Sequence, residues 1–156
     1  LVATITAFTI AHSITLALST FELLQISQSA VEALIALSLL FMAVEMLSKT
    51  PSLTSNYPWL ISFGFGLIHG LGFAGVLREV GLPDDAALWA LLLFNIGLEI
   101  GQLMVVAACL LLAFLIRSWW PKITVAPDVS LSNLLPAYFI GPISVWWLLQ
   151  RLPILS

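Results

Sequence analysis

The sequence predicts an all-α bundle of transmembrane helices, and three observations predict it. Of 156 residues, 61% are hydrophobic and only 8% are charged, whereas an ordinary water-soluble domain carries about 25% charged residues. The charged side chains that would cover a water-facing surface are missing. The apolar residues also fall into five runs, each near the roughly 20 residues that carry a helix across a bilayer. Finally, polar groups inside the runs recur at three- and four-residue spacing, which places them on one face of a helix. Residues 1–156 therefore read as a single multi-pass transmembrane domain. Because the chain opens directly into an apolar run at Leu1, that domain is compatible with being the C-terminal part of a longer chain.

The runs follow in order. The first covers about Val2–Ser19 and is followed by a short polar link, Thr20–Gln28. The second covers about Ala30–Leu47; the link Ser48–Pro58 holds Lys49, two prolines and several Ser/Thr, which is loop chemistry. The third covers about Trp59–Leu77 and ends in Arg78–Asp85, where Gly81-Leu82-Pro83 breaks the helix. Asp84 and Asp85 then suit the start of the next helix, whose dipole favours negative charge. The fourth run, about Ala86–Ile116, is longer than a bilayer needs, so it tilts or projects. Trp119 and Trp120 sit at an interface position in the link Arg117–Ser130. The fifth run, about Leu131–Leu149, contains Pro136 and Pro142 and ends at the interfacial group Trp146, Trp147 and Arg151. Lys49, Arg117 and Lys122 fall on the side of the N-terminus and Arg78 and Arg151 on the other, a balance that favours a cytoplasmic N-terminus.

Composition excludes several classes. A net charge of −3 without a basic run gives nucleic acid nothing to bind. A single cysteine, Cys109, excludes an internal disulfide and a cysteine-based metal cluster. There is no H-E-x-x-H, no G-x-S-x-G, and no serine beside His69 to make a nucleophile pair. Hydrolysis by an intramembrane metal-dependent enzyme is thus a weaker reading than transport, and an accessory subunit without transport is a third.

The third run is the most informative. Ile61–Leu77 carries five glycines and His69. Glycine destabilises a helix in water by about 1 kcal/mol relative to alanine, but in a membrane small residues let backbones approach, and Gly66-x-x-x-Gly70 has that spacing. Gly66 and Gly72 leave space beside His69, and Phe65 and Phe73 are expected to wall it. In the first run, Thr9, Thr15 and Ser19 lie roughly on the side of His12. In the fourth, Asn95, Glu99 and Gln102 form one stripe, with Gly97 and Gly101 on the other side for a packing partner. His12, His69 and Glu99 each lie near the midpoint of their runs, so neighbouring helices would bring them together at one depth. An intramembrane ionisable group is a functional site by default. Two imidazoles, a carboxylate and amide oxygens form a mixed set that suits nickel, cobalt or zinc. The expected metal site is His12, His69, Glu99, Asn95 and Gln102, with no catalytic residue and no tightly bound cofactor. Glu32 and Glu45 lie near opposite ends of the second run, Glu45 sharing a face with Ser38. Both are expected to guard an entrance or to reach the headgroups.

Three segments carry a resemblance: Phe8-Thr-x-Ala-His12-Ser-x-Thr-Leu, Phe63-Gly-Phe-Gly-Leu-x-His69-Gly-x-Gly-Phe-Ala, and Phe94-Asn-x-Gly-x-Glu99-x-Gly-Gln102. In kind and order they resemble the HupE/UreJ family, in its second branch, while the last run matches only in being apolar. The resemblance implies a small polytopic protein of a bacterial inner membrane, associated with hydrogenase and urease accessory functions, that moves nickel or cobalt. It carries His12, His69, Asn95 and Glu99 over as functional positions. The partners it implies are the lipid bilayer and a divalent metal ion, and an oligomer is compatible with it.

Overall fold

The computed structural model describes residues 1–48, 53–80, 86–119 and 131–152, and the side chains at 76–80, 117 and 131–133 lie outside that description. Among the described residues six helices follow one another: α1 (Val2–Thr20), α2 (Gln28–Leu47), α3 (Leu53–Asn56), α4 (Pro58–Val80), α5 (Ala87–Trp119) and α6 (Leu131–Arg151). No strand occurs among the described residues, so the predicted all-α bundle is the observed fold. Among the described residues, four helices are long and apolar enough to cross a membrane: Val2–Thr20, Gln28–Leu47, Pro58–Gly75 and Ala87–Ile116. The fifth run appears as α6 but is not among those four. Its two internal prolines, Trp146, Trp147 and the Gln150–Arg151 end dilute its apolar length. The link after the second run, expected as loop, contains the single-turn α3. Lys49, Asp84, Asp85, Trp120 and Lys122 lie outside the described residues, as do the side chains of Arg78 and Arg117.

Local chemistry sets the helix ends. Pro58 opens α4 at the first helical position, where its missing N–H is one the helix leaves unbonded anyway. α1 closes with a Schellman motif: the Leu23 N–H donates to Leu18 O at 2.9 Å and the Glu22 N–H to Ser19 O at 3.2 Å. The motif holds Glu22 at φ 60°, in the left-handed region that glycine favours.

The helices stand in the order α5, α1, α4, α2, α6, each packed on the next, with the α1–α4 seam the most extensive. Glycine makes that seam. A Cβ added at Gly66 would strike the Phe8 carbonyl oxygen and come within 2.9 Å of the Ala11 Cβ. One added at Gly70 would strike the His12 carbonyl oxygen and Thr15 Oγ1. The Gly66-x-x-x-Gly70 face therefore lies directly on the backbone that carries His12. By contrast, among the described residues nothing lies within 4 Å of a Cβ at Gly97 or Gly101, and the packing expected on that face of α5 is not seen among them. α1 sits between α4 and α5, which meet chiefly through the Phe73 and Phe94 rings, 4.7 Å apart. A small core of Leu16, Ala74 and Leu91, with Ala17 and Phe94 against it, ties the three together.

Candidate functional site

His12, only 3% exposed, is placed by the α1–α4 seam among aromatic rings. Phe8 and Phe94 stack on it at 5.9 and 6.2 Å between centroids, and Phe73 lies at 6.2 Å. His69 meets the Phe8 ring edge-on at 5.5 Å. Of the two rings expected to wall His69, Phe73 lines the same cavity as His69 while packing on Phe94, whereas Phe65 turns away and packs on Phe41; the space beside Gly66 and Gly72 is filled by the α1 backbone and by Ile35. Both histidines line one cavity of about 360 Å³, together with Phe8 of α1, Glu32 and Ile35 of α2, Phe73 of α4, Leu98 of α5, and Trp147 and Arg151 of α6.

Hydrogen bonding fixes which ring nitrogen of each histidine is free. His12 Nδ1 lies 3.2 Å from Asn95 Oδ1. The Asn95 amide is oriented by its Nδ2, which donates to Leu91 O at 2.8 Å. An amide oxygen can only accept, so His12 Nδ1 carries the hydrogen and its Nε2 keeps a lone pair. His69 Nε2 lies 3.2 Å from Ser38 Oγ. The Ser38 hydroxyl already donates to Ile35 O at 2.7 Å, so it accepts from His69 Nε2–H and leaves His69 Nδ1 with the lone pair. Pinning one nitrogen while freeing the other is how proteins orient metal-binding imidazoles.

The other expected ligands are placed differently. Asn95 is brought to His12. Glu99 lies one turn further along α5, about 6 Å away, where Thr6 Oγ1 donates to its Oε1 at 2.8 Å. Gln102 Oε1 accepts from Thr9 Oγ1 at 3.4 Å. Glu99 and Asn95 line a second cavity, of about 370 Å³, with Thr9 and Ser13. The His12–Asn95 hydrogen bond thus stands between the histidine cavity and the Glu99 cavity. Among the described residues no three His, Cys, Asp or Glu side chains converge as a metal-holding group.

Ser38, Glu32 and Arg151 were not singled out from sequence as partners of the histidines. Ser38 is near the middle of α2 and could have been found by applying the midplane argument to hydroxyls as well as to ionisable groups. Glu32 forms an ion pair with Arg151 at the end of α6. Its other oxygen, Oε1, accepts from Gln28 Nε2 at 3.1 Å. Glu45 Oε1, by contrast, is buried without a hydrogen-bond partner among the described residues.

The family model described as HupE / UreJ protein matches residues 1–151. The chain belongs to the HupE/UreJ family. The match runs through α6, beyond the part of the chain whose motifs carried the resemblance. No curated protein and no solved structure matches the chain. With its apolar helices, family membership makes this HupE/UreJ protein a membrane protein, and the three motif segments are the ones that meet at the α5–α1–α4 seam.

Proposed function

We propose that this HupE/UreJ protein is a nickel or cobalt permease of a bacterial inner membrane and that the histidine cavity receives the metal ion. One observation carries the reading: two imidazoles from different helices face one cavity, each held by one ring nitrogen with the other left to bind. His12 Nε2 and His69 Nδ1 are the nitrogen ligands, and Asn95 and Ser38 hold the rings. Glu99 and Gln102, one and two turns along α5 from Asn95, supply the next oxygen ligands on the same polar track. Two nitrogen ligands with open remaining positions suit cargo, because a transported ion must be held firmly enough to enter and weakly enough to leave. The association of the family with nickel and cobalt supports the choice of ion.

The test is flux of Ni²⁺ or Co²⁺ into liposomes containing the purified protein. Wild type is expected to carry the ion, and His12→Ala and His69→Ala to abolish uptake while still inserting as monodisperse protein. Uptake undiminished in both variants would remove the histidine cavity from the path.

A further inference from the structure

The histidine cavity ends at a charge pair that the two imidazoles do not explain. Glu32 and Arg151 line the same cavity as His12 and His69 and are paired with each other, their side chains 19% and 43% exposed. They come from the start of α2 and the end of α6, so the pair stands at one mouth of the cavity, toward the end where α1 finishes. Glu32 is held by a second contact besides Arg151. Gln28, one turn before it, donates from Nε2 to Glu32 Oε1 at 3.1 Å and lies 3.2 Å from Gly72 O on α4. Gly75 leaves the room for this, since a Cβ there would come within 2.5 Å of Gln28 Oε1. Gly72 is one turn from His69, so the bracket that orients Glu32 sits on the histidine helix itself. Arg151 meanwhile lies one turn beyond Trp147, which lines the cavity too.

We infer that Glu32 is the carboxylate a divalent cation meets in the histidine cavity and that Arg151 is the tethered cation it must displace to reach it. This rests on the cavity being a metal path. A carboxylate lining the same cavity as two imidazoles, at its mouth, attracts any divalent cation that enters, and a guanidinium on that carboxylate removes the attraction until a competitor of higher charge arrives. Arginine suits the role because it stays charged at every relevant pH and cannot itself ligate a metal. Its partial exposure gives it somewhere to go when displaced. The pair therefore keeps the cavity neutral between transport events and biases it toward divalent over monovalent ions.

The test is calorimetric titration of Ni²⁺ into the purified full chain. Arg151→Gln removes the competitor and is expected to tighten binding by about fivefold, the scale of one partly exposed ion pair. Arg151→Lys, a compact charge without the flat fork, is expected to tighten it by a smaller factor and keeps the inference testable should Arg151→Gln fail to assemble. Glu32→Gln is expected to weaken binding by at least that factor, and the double variant to match Glu32→Gln alone, since Arg151 acts only through Glu32. A purely structural clasp between α2 and α6 would instead loosen binding in every variant. Either that result or affinity unchanged in all of them, with wild-type binding still lost in His69→Ala, overturns the role of the pair and leaves the permease reading standing. A wild type that binds no Ni²⁺ or Co²⁺ at all overturns both.

Discussion

Ser38 has one hydroxyl hydrogen, and the Ile35 carbonyl 2.7 Å away takes it. The oxygen is thereby left as an acceptor for His69, and a packing residue on α2 decides which nitrogen of an α4 histidine keeps its lone pair. Ser38→Ala removes that acceptor without adding bulk. The imidazole is then free to turn or change tautomer, and groups in this position typically matter by about 10- to 100-fold in metal affinity. The expected outcome is Ni²⁺ affinity lower by about that factor, measured calorimetrically, with the protein still monodisperse; unchanged affinity would mean that His69 binds nothing through Nδ1. Glu22 is a residue-scale feature of another kind. It holds a left-handed conformation that costs a non-glycine residue about 1 kcal/mol, in a motif that glycine usually completes. Glu22→Gly is expected to raise thermal stability in detergent by about that amount without altering metal binding.

At the scale of elements, the α1–α4 seam positions everything else, and it was legible in the sequence because Gly66-x-x-x-Gly70 repeats at helical spacing in an apolar run. The same spacing at Gly97 and Gly101 found no partner among the described residues. Small residues encode the capacity for close approach, but the neighbour that uses it is set by the rest of the bundle. Glu99 shows a second limit. Its depth was read from the midpoint of its run, yet α5 is 33 residues long, more than the roughly 20 that cross a bilayer, so its midpoint alone does not fix a depth. The register of α5 on α1 instead sets Asn95 opposite His12 and Glu99 opposite Thr6. Gly70→Ala tests the seam. The added methyl meets the His12 backbone, which cannot rotate away, and overpacking of this kind costs about 1–3 kcal/mol. The expected outcome is a lower melting temperature together with loss of metal binding, while Gly64→Ala, where nothing lies within 4 Å, is expected to change neither. Equal melting temperatures for the two variants would mean that α1 and α4 are not in contact at Gly70.

At the scale of the whole molecule, five helices contribute side chains to one cavity, and that closure was not legible. The pairing of Glu32 with Arg151 joins the second run to the fifth, and nothing in the spacing of either run encodes which helix end the other meets. The histidines were legible because an imidazole inside an apolar run has few bland reasons to be there. Their chemistry also sets how the molecule responds to pH. A histidine binds metal only when neutral, and its unperturbed pKa is about 6.5. Protons and metal therefore compete for His12 Nε2 and His69 Nδ1, and affinity is expected to fall as pH drops through about 7 to 5. If the two sides of the membrane differ in pH, the acidic side is where metal is released, because there protons take the ring nitrogens. Protons then leave the acidic side as metal enters it. Liposomes with a lumen at about pH 5.5 in a medium at about pH 7.5 are accordingly expected to accumulate Ni²⁺ faster than liposomes at about pH 7.5 on both sides. The internal pH should rise as metal enters, as followed with a trapped pH dye. Both effects should vanish in His12→Ala and His69→Ala. Uptake that ignores the gradient, or a lumen that stays acidic while metal enters, would mean that protons do not exchange with metal at the histidines.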